Sequence, residues 1–326
     1  MCKTCGCGEE SESSLLNMQT GRKIDLATQS RPHSGAANHH WRHHDHPHDG
    51  DSDLAHASGH VHRHEDGVWR SHAHEPHGHE QHSRRRGETL DLQARILAKN
   101  DAIAAQNRAW LTGREILALN IMSSPGAGKT TFLERTIAEL KGEAKLFVIE
   151  GDQATSADGE RIRAAGAAAV QVNTGAGCHL EADMIARGLA ELRPTPGSIV
   201  MIENVGNLVC PALFDLGESS KVVMLSVTEG EDKPLKYPHM FRAARLIIIN
   251  KIDLAPHVDF DRDRCIANAR RVNPGVEALE LSSRTGEGFE AWRSWLLREA
   301  AETHERAFRG APPGNEAAPI HAGGRA

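Results

Sequence analysis

A glycine-rich segment at residues 123–131 has the residue types and spacing of a loop that binds phosphate groups. It follows the apolar run 116–122, which predicts a buried strand, and it precedes a helical pattern. In that context, backbone N–H groups at a helix N-terminus can surround phosphate oxygens. We expect Lys129 to reach the β- and γ-phosphates and the Thr130 hydroxyl to bind Mg²⁺. Ser123 replaces the first glycine of the usual G-x-x-x-x-G-K-[ST] pattern. The expected nucleotide contacts in this loop are Ser124, Gly126, Ala127, Gly128, Lys129, Thr130 and Thr131.

Two acidic motifs follow later apolar runs, Asp152 in Glu-Gly-Asp-Gln and Glu203 at the start of Glu-Asn-Val-Gly. In mostly parallel sheets, ligands bind at the carboxyl ends of the strands. We expect Asp152 to hold Mg²⁺ directly or through water and to orient the attacking water, and Glu203 to occupy the Walker-B position. The N–H of Gly206 is expected to sense the γ-phosphate. With Lys129 and Thr130, these three residues form the predicted catalytic set.

The motif Asn250-Lys251-Ile252-Asp253 predicts that the base is guanine. Asp253 can accept hydrogen bonds from N1–H and the exocyclic amino group of guanine, whereas adenine would leave this carboxylate unpaired. We expect Lys251 to lie over the ring plane and Asn250 to tie the motif to the phosphate loop. Ser282 and Ser283 follow the last apolar run, where a backbone N–H can reach guanine O6. The nucleotide is therefore predicted to be GTP rather than ATP.

Cys178, His179 and Cys210 form a second candidate site. Two thiolates and an imidazole suit Ni²⁺ or Zn²⁺, with a fourth position for water, substrate or a partner subunit, and the ligands can come from one subunit or two. The alternative is that both cysteines are small buried core residues, which is our expectation for Cys265. Because Cys210 closely follows Gly206, a movement of Gly206 with the γ-phosphate should couple metal affinity to nucleotide state.

Two further segments carry metal-binding residue types. Cys2, Cys5 and Cys7 bring three thiols close together, a set suited to Ni²⁺, Zn²⁺ or Cu(I). Between His33 and His82 lie 16 of the 21 histidines, without an apolar period, so this segment predicts disorder and several weak Ni²⁺ or Zn²⁺ sites. The alternatives are a disordered terminus with incidental cysteines and a solvated linker without ligands.

The apolar residues that can form a core lie between residues 89 and 305. Short apolar runs alternate there with helical stretches, which predicts an α/β fold: a P-loop GTPase with a mostly parallel sheet flanked by helices, preceded by a disordered Cys/His-rich N-terminal region. The expected segments are the Cys motif 1–8, the disordered His-rich segment 9–88, the G domain 89–305 and the disordered tail 306–326. The predicted strands are 116–122, 145–149, 168–172, 199–202, 222–227, 246–249 and 276–281, and a helix is predicted at 88–110.

Charge and hydropathy exclude several classes of protein. The formal net charge of −6 argues against a nucleic-acid partner. No apolar run reaches the ~18 residues of a membrane span. The N-terminus lacks an apolar signal core, so we expect a cytoplasmic protein that is not membrane-bound.

Taken in order, these motifs resemble one family, the hydrogenase nickel-incorporation GTPases, HypB. The Cys2–Cys7 cysteines, the His-rich insert, and the Glu-Asn-Val-Gly…Cys-Pro segment from Glu203 to Pro211 carry the resemblance. It implies GTP-dependent delivery of Ni²⁺ to the large subunit of [NiFe] hydrogenase, with a partner nickel chaperone of the same pathway. It also implies a homodimer promoted by GTP or metal. Cys2, Cys5 and Cys7 would be the tight nickel site, and Cys178, His179 and Cys210 the site in the G domain.

Intrinsic hydrolysis is expected to be slow, on the order of 10⁻³ per second. Arg161 and Arg163, just beyond the Asp152 loop, are candidates for an arginine finger by position alone. Nickel storage in the His-rich segment is an expected added role. Two alternatives remain: a nickel-storage protein with a passenger G domain, and an accessory GTPase of the urease type.

Overall fold

A computed structural model describes residues 13–26, 60–63, 69–72, 79–152, 157–175 and 177–310. The predicted cysteine site at 2–7, most of the His-rich segment and the part of the predicted tail beyond residue 310 lie outside the described residues. Residues 306–310, expected in the disordered tail, instead form the end of a helix. The chain divides into two compact units, one formed by residues 1–29 with 97–326 and the other by residues 30–96. Within the smaller unit, two short strands form an antiparallel hairpin.

The strands, in chain order, are β1 (Ser14–Asn17), β2 (Lys23–Asp25), β3 (His60–Arg63), β4 (Trp69–His72), β5 (Leu117–Ser123), β6 (Leu146–Asp152), β7 (Ala168–Asn173), β8 (Ile199–Glu203), β9 (Ser220–Ser226), β10 (Leu246–Asn250) and β11 (Glu277–Glu280). The helices are α1 (His79–Thr112), α2 (Lys129–Glu139), α3 (Ala157–Ala165), α4 (Ala182–Leu192), α5 (Cys210–Leu213), α6 (Lys233–Lys236), α7 (Pro238–Ala243), α8 (Arg262–Val272) and α9 (Phe289–Gly310), with a 3-10 helix at Ile252–His257.

The larger unit is organised around a nine-stranded sheet in the order β11-β10-β9-β5-β8-β6-β7-β1-β2. Strands β5 to β11 run parallel to one another. Strand β1 is antiparallel to both of its neighbours, β7 and β2. All seven predicted strands are present, with ends shifted by a few residues, so the predicted fold class is confirmed. Every residue of β5 is buried, as expected for a strand covered on both faces.

Alternation along β5 divides the core between the two faces of the sheet. Leu117, Leu119 and Ile121 pack in one cluster with α2 and with Trp292 and Trp295 of α9. Ala118 faces the other way, into a cluster that includes residues of α1 and α4. A third cluster joins β9 and β10 to α7 and α8. The carboxyl ends of the parallel strands are therefore held at one edge by helices packed on both faces.

At β1 and β2 the structure differs from the expected disordered segment 9–88. Ser14 pairs with Asn173 of β7, and the Leu15 side chain is 0% exposed in the core cluster with Val170 and Val172. The apolar signal here is only two leucines long, too short to show a period, and the strand is formed by pairing with a distant part of the chain. Sequence periodicity therefore gave no sign of this hairpin.

Helix α1 begins at His79 rather than at residue 88. Its first turns are polar and contain three consecutive arginines, so the apolar period that predicted the helix starts only near Leu90. Glu, Gln and Arg are good helix formers without any apolar face. Among the described residues, none of the helices is both long enough and apolar enough to cross a bilayer.

The buried position of Leu15 allows the docking of the β1–β2 hairpin on the sheet to be tested. Leu15→Ala should lower the free energy of unfolding by about 2–5 kcal/mol, because it leaves a cavity between β1 and the neighbouring helix layer. Urea unfolding followed by circular dichroism measures this change. Leu235→Ala, at a leucine that is 43% exposed, is the control and should change it by less than about 0.5 kcal/mol. Equal effects of the two substitutions would contradict the docking of β1.

Candidate nucleotide and metal site

The phosphate loop connects β5 to α2, and its conformation depends on glycine at one position in particular. Gly128 has a φ of 100°, and a Cβ there would lie 2.7 Å from Nδ2 of Asn250. Lys129 Nζ donates to Ser123 Oγ at 2.9 Å. Ser123, which replaces the usual glycine, therefore holds the lysine that is expected to reach the phosphates. Burial lowers the pKa of Lys129, while the carboxylates of Glu203 and Glu150 oppose this shift.

A buried hydroxyl and carboxylate lie next to this loop. Thr130 Oγ1 donates to Glu203 Oε1 at 3.0 Å, and the buried Glu203 Oε2 has no hydrogen-bond partner within the described part of the chain. Burial raises the pKa of Glu203 to about 7, although Lys129 and Thr130 act in the opposite direction. Asp152 ends β6 at the same edge, where its carbonyl accepts from Thr174 N at 2.9 Å. Hydroxyl and carboxylate oxygens are the ligands that Mg²⁺ prefers, so these residues fit that ion.

Glu150 is a residue of this site that sequence reasoning missed. It is 2% exposed and lies opposite Glu203 in the register between β6 and β8. Burial raises its pKa to about 9, and the nearby carboxylates of Glu203 and Asp152 raise it further. The available signal was a glutamate that continues an apolar strand directly, two residues before Asp152.

The predicted guanine motif is tied to the phosphate loop as expected. Asn250 Nδ2 donates to the carbonyl of Ala127 at 2.9 Å, and Asn250 Oδ1 accepts from the backbone N–H of Ser283 at 3.0 Å. One asparagine thus joins the phosphate loop to the last loop of the site. Lys251, with a left-handed φ of 62°, donates from Nζ to the carbonyl of Gly126 at 2.6 Å.

The Asp253 carboxylate is oriented by a neighbour from the last loop. Ser282 Oγ donates to Asp253 Oδ1 at 2.6 Å. Ser282 was predicted only as part of a loop that reaches the base. Its hydroxyl adds a second role, which is to fix the rotamer of the carboxylate that would read guanine.

Cys178, His179 and Cys210 are brought together, with one potential ligand atom of each within 4.8 Å of the others. Within the described ranges, no other three residues of the Cys, His, Asp and Glu types form a cluster that could hold a metal ion. The two sulfurs are 3.0 Å apart, longer than the ~2.05 Å of a disulfide bond. Cys178 Sγ lies 3.6 Å from His179 Nδ1. Two sulfurs and one imidazole nitrogen are a donor set suited to Zn²⁺ or Ni²⁺.

The environment of His179 keeps its imidazole neutral. Burial lowers its pKa to about 4, and the ring stacks on Phe214 with centroids 3.9 Å apart. Nε2 lies 3.8 Å from Oε1 of Glu181, on the side of the ring away from Cys178. A metal-binding imidazole commonly has a carboxylate near its second nitrogen, where it helps to orient the ring.

The segment between Glu203 and Cys210 connects the two sites. Gly206 is pressed against the phosphate loop, because a Cβ there would lie 3.1 Å from the Cα of Pro125. Cys210 begins α5 immediately after this segment. The main chain that touches the phosphate loop therefore continues directly into a residue of the cysteine–histidine cluster.

The two arginine-finger candidates and Cys265 lie in different environments. Arg161 donates to carboxylate oxygens of Glu134 and Asp158, and its Nη2 also donates to Thr131 Oγ1 at 3.1 Å, which places it beside the phosphate loop. Arg163 is an exposed residue in the last turn of α3. Cys265 is completely buried on α8, and burial raises its pKa to about 12, as expected for a structural thiol.

The lowered pKa of His179 predicts how stability depends on pH. The folded-state pKa of about 4 lies below the ordinary value of about 6.5. As the pH falls, the unfolded chain therefore binds this proton before the folded chain does. The contribution of neutral His179 to the free energy of unfolding is complete above pH ~6.5 and is lost as the pH falls toward 4. Comparing urea unfolding of wild type and His179→Gln across this range, we expect the wild type to lose on the order of 3 kcal/mol more. Parallel pH profiles would contradict the buried neutral imidazole.

Comparison with known proteins finds relatives of this chain in one family. A profile of the CobW/HypB/UreG nucleotide-binding domain matches residues 117–280. The hydrogenase maturation factor HypB of Rhizobium leguminosarum bv. viciae is 59% identical over 212 residues, which cover 65% of this chain and 71% of the relative. HypB of Escherichia coli (strain K12) is 45% identical over 300 residues, 91% of this chain and 98% of the relative.

A solved structure, HypB from Helicobacter pylori in complex with nickel, is also similar. It is 38% identical, with a TM-score of 0.59 over 63% of this chain and 96% of that one. The matched nucleotide-binding domain, the sequence identities and the common fold together show that this chain belongs to the HypB family of hydrogenase maturation factors.

Proposed function

We propose that this protein hydrolyses GTP and uses the nucleotide state to control the delivery of Ni²⁺ to the large subunit of [NiFe] hydrogenase. The observation that carries the proposal is the segment 203–210. It begins at the buried carboxylate beside the phosphate loop, touches that loop at Gly206, and ends at Cys210 of the cysteine–histidine cluster. A change at the γ-phosphate therefore has a short main-chain route to a metal ligand.

Each nucleotide contact has a residue suited to it. Lys129 and the N–H groups of the phosphate loop neutralise the phosphates, and Asp253, oriented by Ser282, reads guanine. Asn250 keeps the base loop and the phosphate loop at a fixed separation through its two hydrogen bonds. The N–H of Gly206 senses the γ-phosphate, and Asp152 orients the attacking water.

Mg²⁺ is the metal cofactor of this reaction. Thr130 and Glu203 would hold it, with Asp152 contributing directly or through water, and the ion would neutralise charge that develops on the β- and γ-phosphate oxygens. Glu150 is paired with Glu203 across β6 and β8 and adds a further carboxyl group near Glu203 and Asp152. Turnover is slow without a partner, and Arg161, beside Thr131, is the better placed of the two arginine candidates.

Ni²⁺ is the cargo, and Cys178, His179 and Cys210 are its site in the G domain. The related protein from Helicobacter pylori was solved in complex with nickel. The same donor set also accepts Zn²⁺, so we propose that either ion can occupy the cluster. The fourth position is left for water, a second subunit or the protein that receives the metal.

We also assign roles to the N-terminal cysteines, the His-rich segment and partner proteins. Cys2, Cys5 and Cys7 form the tight nickel site, and the His-rich segment stores nickel at several weak sites. The protein acts in the cytoplasm as a homodimer promoted by GTP or metal. A small nickel chaperone of the same maturation pathway and the hydrogenase large subunit are its partners.

Nickel affinity in two nucleotide states tests the proposal. Because β1 and β2 belong to the sheet, the full chain is used with Cys2, Cys5 and Cys7 changed to serine, rather than a truncated form. Nickel bound at the cluster is followed by its thiolate-to-nickel charge-transfer absorption, which histidine sites lack. We expect affinities in GDP and in a non-hydrolysable GTP analogue to differ by about 5- to 150-fold. Equal affinities would contradict nucleotide control.

Two controls define the source of the signal. The double substitution Cys178→Ser/Cys210→Ser should abolish the absorption, since it removes both thiolates of the cluster. Gly206→Ala should reduce the difference between nucleotide states, because its Cβ would crowd Pro125. Gly275→Ala is the matched control at a glycine with room for a Cβ, and it should leave the difference unchanged.

A further inference from the structure

Two buried asparagines of α1 hold the chain segments that carry the metal cluster. Asn107 is 5% exposed, and its Nδ2 donates both to the carbonyl of Ala182 at 2.8 Å and to the carbonyl of Leu216 at 3.0 Å. Ala182 begins the helix that follows Cys178 and His179, and Leu216 lies just beyond the helix that begins at Cys210. One side-chain amide thus bridges both segments.

Asn100, about two turns before Asn107 on α1, makes a second bridge between the same two segments. Its Oδ1 accepts from the N–H of Ala182 at 2.9 Å, and its Nδ2 donates to the carbonyl of Asp215 at 2.7 Å. Asp215 is also paired with Arg108 of the same helix, with Oδ1 2.6 Å from Nη2. Three residues on one side of α1 are therefore bonded to the two segments.

The contact between α1 and the second segment is also tight sterically. Gly217 has a φ of 88°, and a Cβ there would lie 2.5 Å from the carbonyl oxygen of Ala104 and 2.6 Å from Cβ of Asn107. Any larger residue would push the loop away from the helix. The amide bridge of Asn107 therefore depends on a glycine, and its hydrogen-bond geometry has little freedom.

A chain of buried side chains links the same two segments on their other side, through the sheet. Leu180 N donates to Asn204 Oδ1, and Asn204 Nδ2 donates to Asn120 Oδ1 at 3.1 Å. Asn120 Nδ2 then donates to Glu218 Oε1 at 3.2 Å, and Glu218 Oε2 accepts from the N–H of Leu216 at 2.7 Å. Together with Asn107 and the main chain between Leu180 and Ala182, these bonds close a ring that includes both segments that carry the cluster.

Lys221 connects this ring of hydrogen bonds to the segment that follows Cys210. Lys221 Nζ donates to the carbonyls of Ala212 and Phe214 at 3.3 and 3.1 Å and lies 3.5 Å from Glu218 Oε1. Phe214, held in this way, is the residue on which the His179 ring stacks. The residue that stacks on the imidazole and the helix that begins at Cys210 are thus both bonded to Lys221.

We propose that Asn107, assisted by Asn100, is a positioning residue for the metal cluster: its amide fixes the separation of the Cys178–His179 segment from the Cys210 segment. This role rests on the proposed metal binding at these three residues. Asn107 touches none of the ligand side chains. It acts through the backbone on both sides of them, as outer residues of metal sites orient the direct ligands.

The test is Asn107→Asp in the full chain with Cys2, Cys5 and Cys7 changed to serine, titrated with Ni²⁺ alone. The substitution keeps the shape of the side chain but removes the bridge to two carbonyls, because a carboxylate donates no hydrogen bond and a protonated carboxyl group donates only one. We expect nickel binding at the cluster to weaken by about 10- to 100-fold and the thiolate-to-nickel absorption band to shift or broaden. An unchanged affinity and an unchanged band would overturn the proposal.

A matched variant separates positioning from general loss of stability. Asn268 is also buried and donates from Nδ2 to a main-chain carbonyl, that of Glu231 at 3.0 Å, and neither residue belongs to a segment of the cluster. Asn268→Asp should lower the melting temperature but leave nickel affinity and the band unchanged. If it weakened nickel binding as strongly as Asn107→Asp, the assigned role would be wrong.

Asn100→Asp keeps the proposal testable if Asn107→Asp does not fold. It retains an acceptor for the N–H of Ala182 but loses the donor to Asp215, so we expect a smaller weakening with a shifted band, and an unaltered band would overturn the proposal. Failure of the proposed function looks different. In that case the background chain itself would show no thiolate-to-nickel band, or a band that survives the double substitution Cys178→Ser/Cys210→Ser.

Discussion

The close approach of Gly206 to Pro125 is the contact that places the segment leading to Cys210 against the phosphate loop. A Cβ at Gly206 would lie 3.1 Å from Cα and 3.2 Å from Cγ of Pro125, so a side chain at this position would crowd the loop. Gly206 lies midway between Glu203, which accepts from Thr130, and Cys210, which begins α5. The sheet fixes the first end because β8 is paired on both sides. The second end is held by the buried hydrogen bonds that surround the cluster. A ligand bound at the phosphate loop would therefore lie next to the segment 203–210, and both ends of that segment are held in place by the fold.

Burial shifts the buried ionisable groups of both sites toward their neutral forms. The pKa of Lys129 is lowered and those of Glu203 and Glu150 are raised, because these charges lie together in an interior that disfavours all of them. Phosphate and Mg²⁺ supply the opposite charges, so binding of both removes an electrostatic cost that the chain alone carries. At the cluster the same effect lowers the pKa of His179 and leaves the imidazole neutral, with a lone pair available to a metal. The same effect therefore suits metal binding at His179, whereas at the nucleotide site bound phosphate and Mg²⁺ would have to offset it.

Most of the site could be predicted from the sequence because its residues follow strand ends and occur in contiguous motifs. The phosphate loop, Asn250, Asp253 and Glu203 each come directly after an apolar run, and parallel strands bring such positions to one edge. The β1–β2 hairpin escaped prediction because its pairing with β7 is long-range and its apolar run is short. The bridge made by Asn107 escaped for a related reason: a buried asparagine on a helix has no periodic signal, and its partners lie 75 and 109 positions away. Tertiary hydrogen bonds of this kind become visible only in the folded chain.

Thermodynamic linkage gives the most direct test of the central claim, that nucleotide and metal sites form one coupled unit. If the segment 203–210 couples them, bound nickel must change nucleotide affinity by the same factor by which nucleotide changes nickel affinity. The measurement is the ratio of dissociation constants for GDP and a fluorescent non-hydrolysable GTP analogue, with and without Ni²⁺, in the chain whose N-terminal cysteines are replaced by serine. The account predicts that nickel changes this ratio and that Cys210→Ala abolishes the change. A ratio that is the same with and without nickel would contradict it.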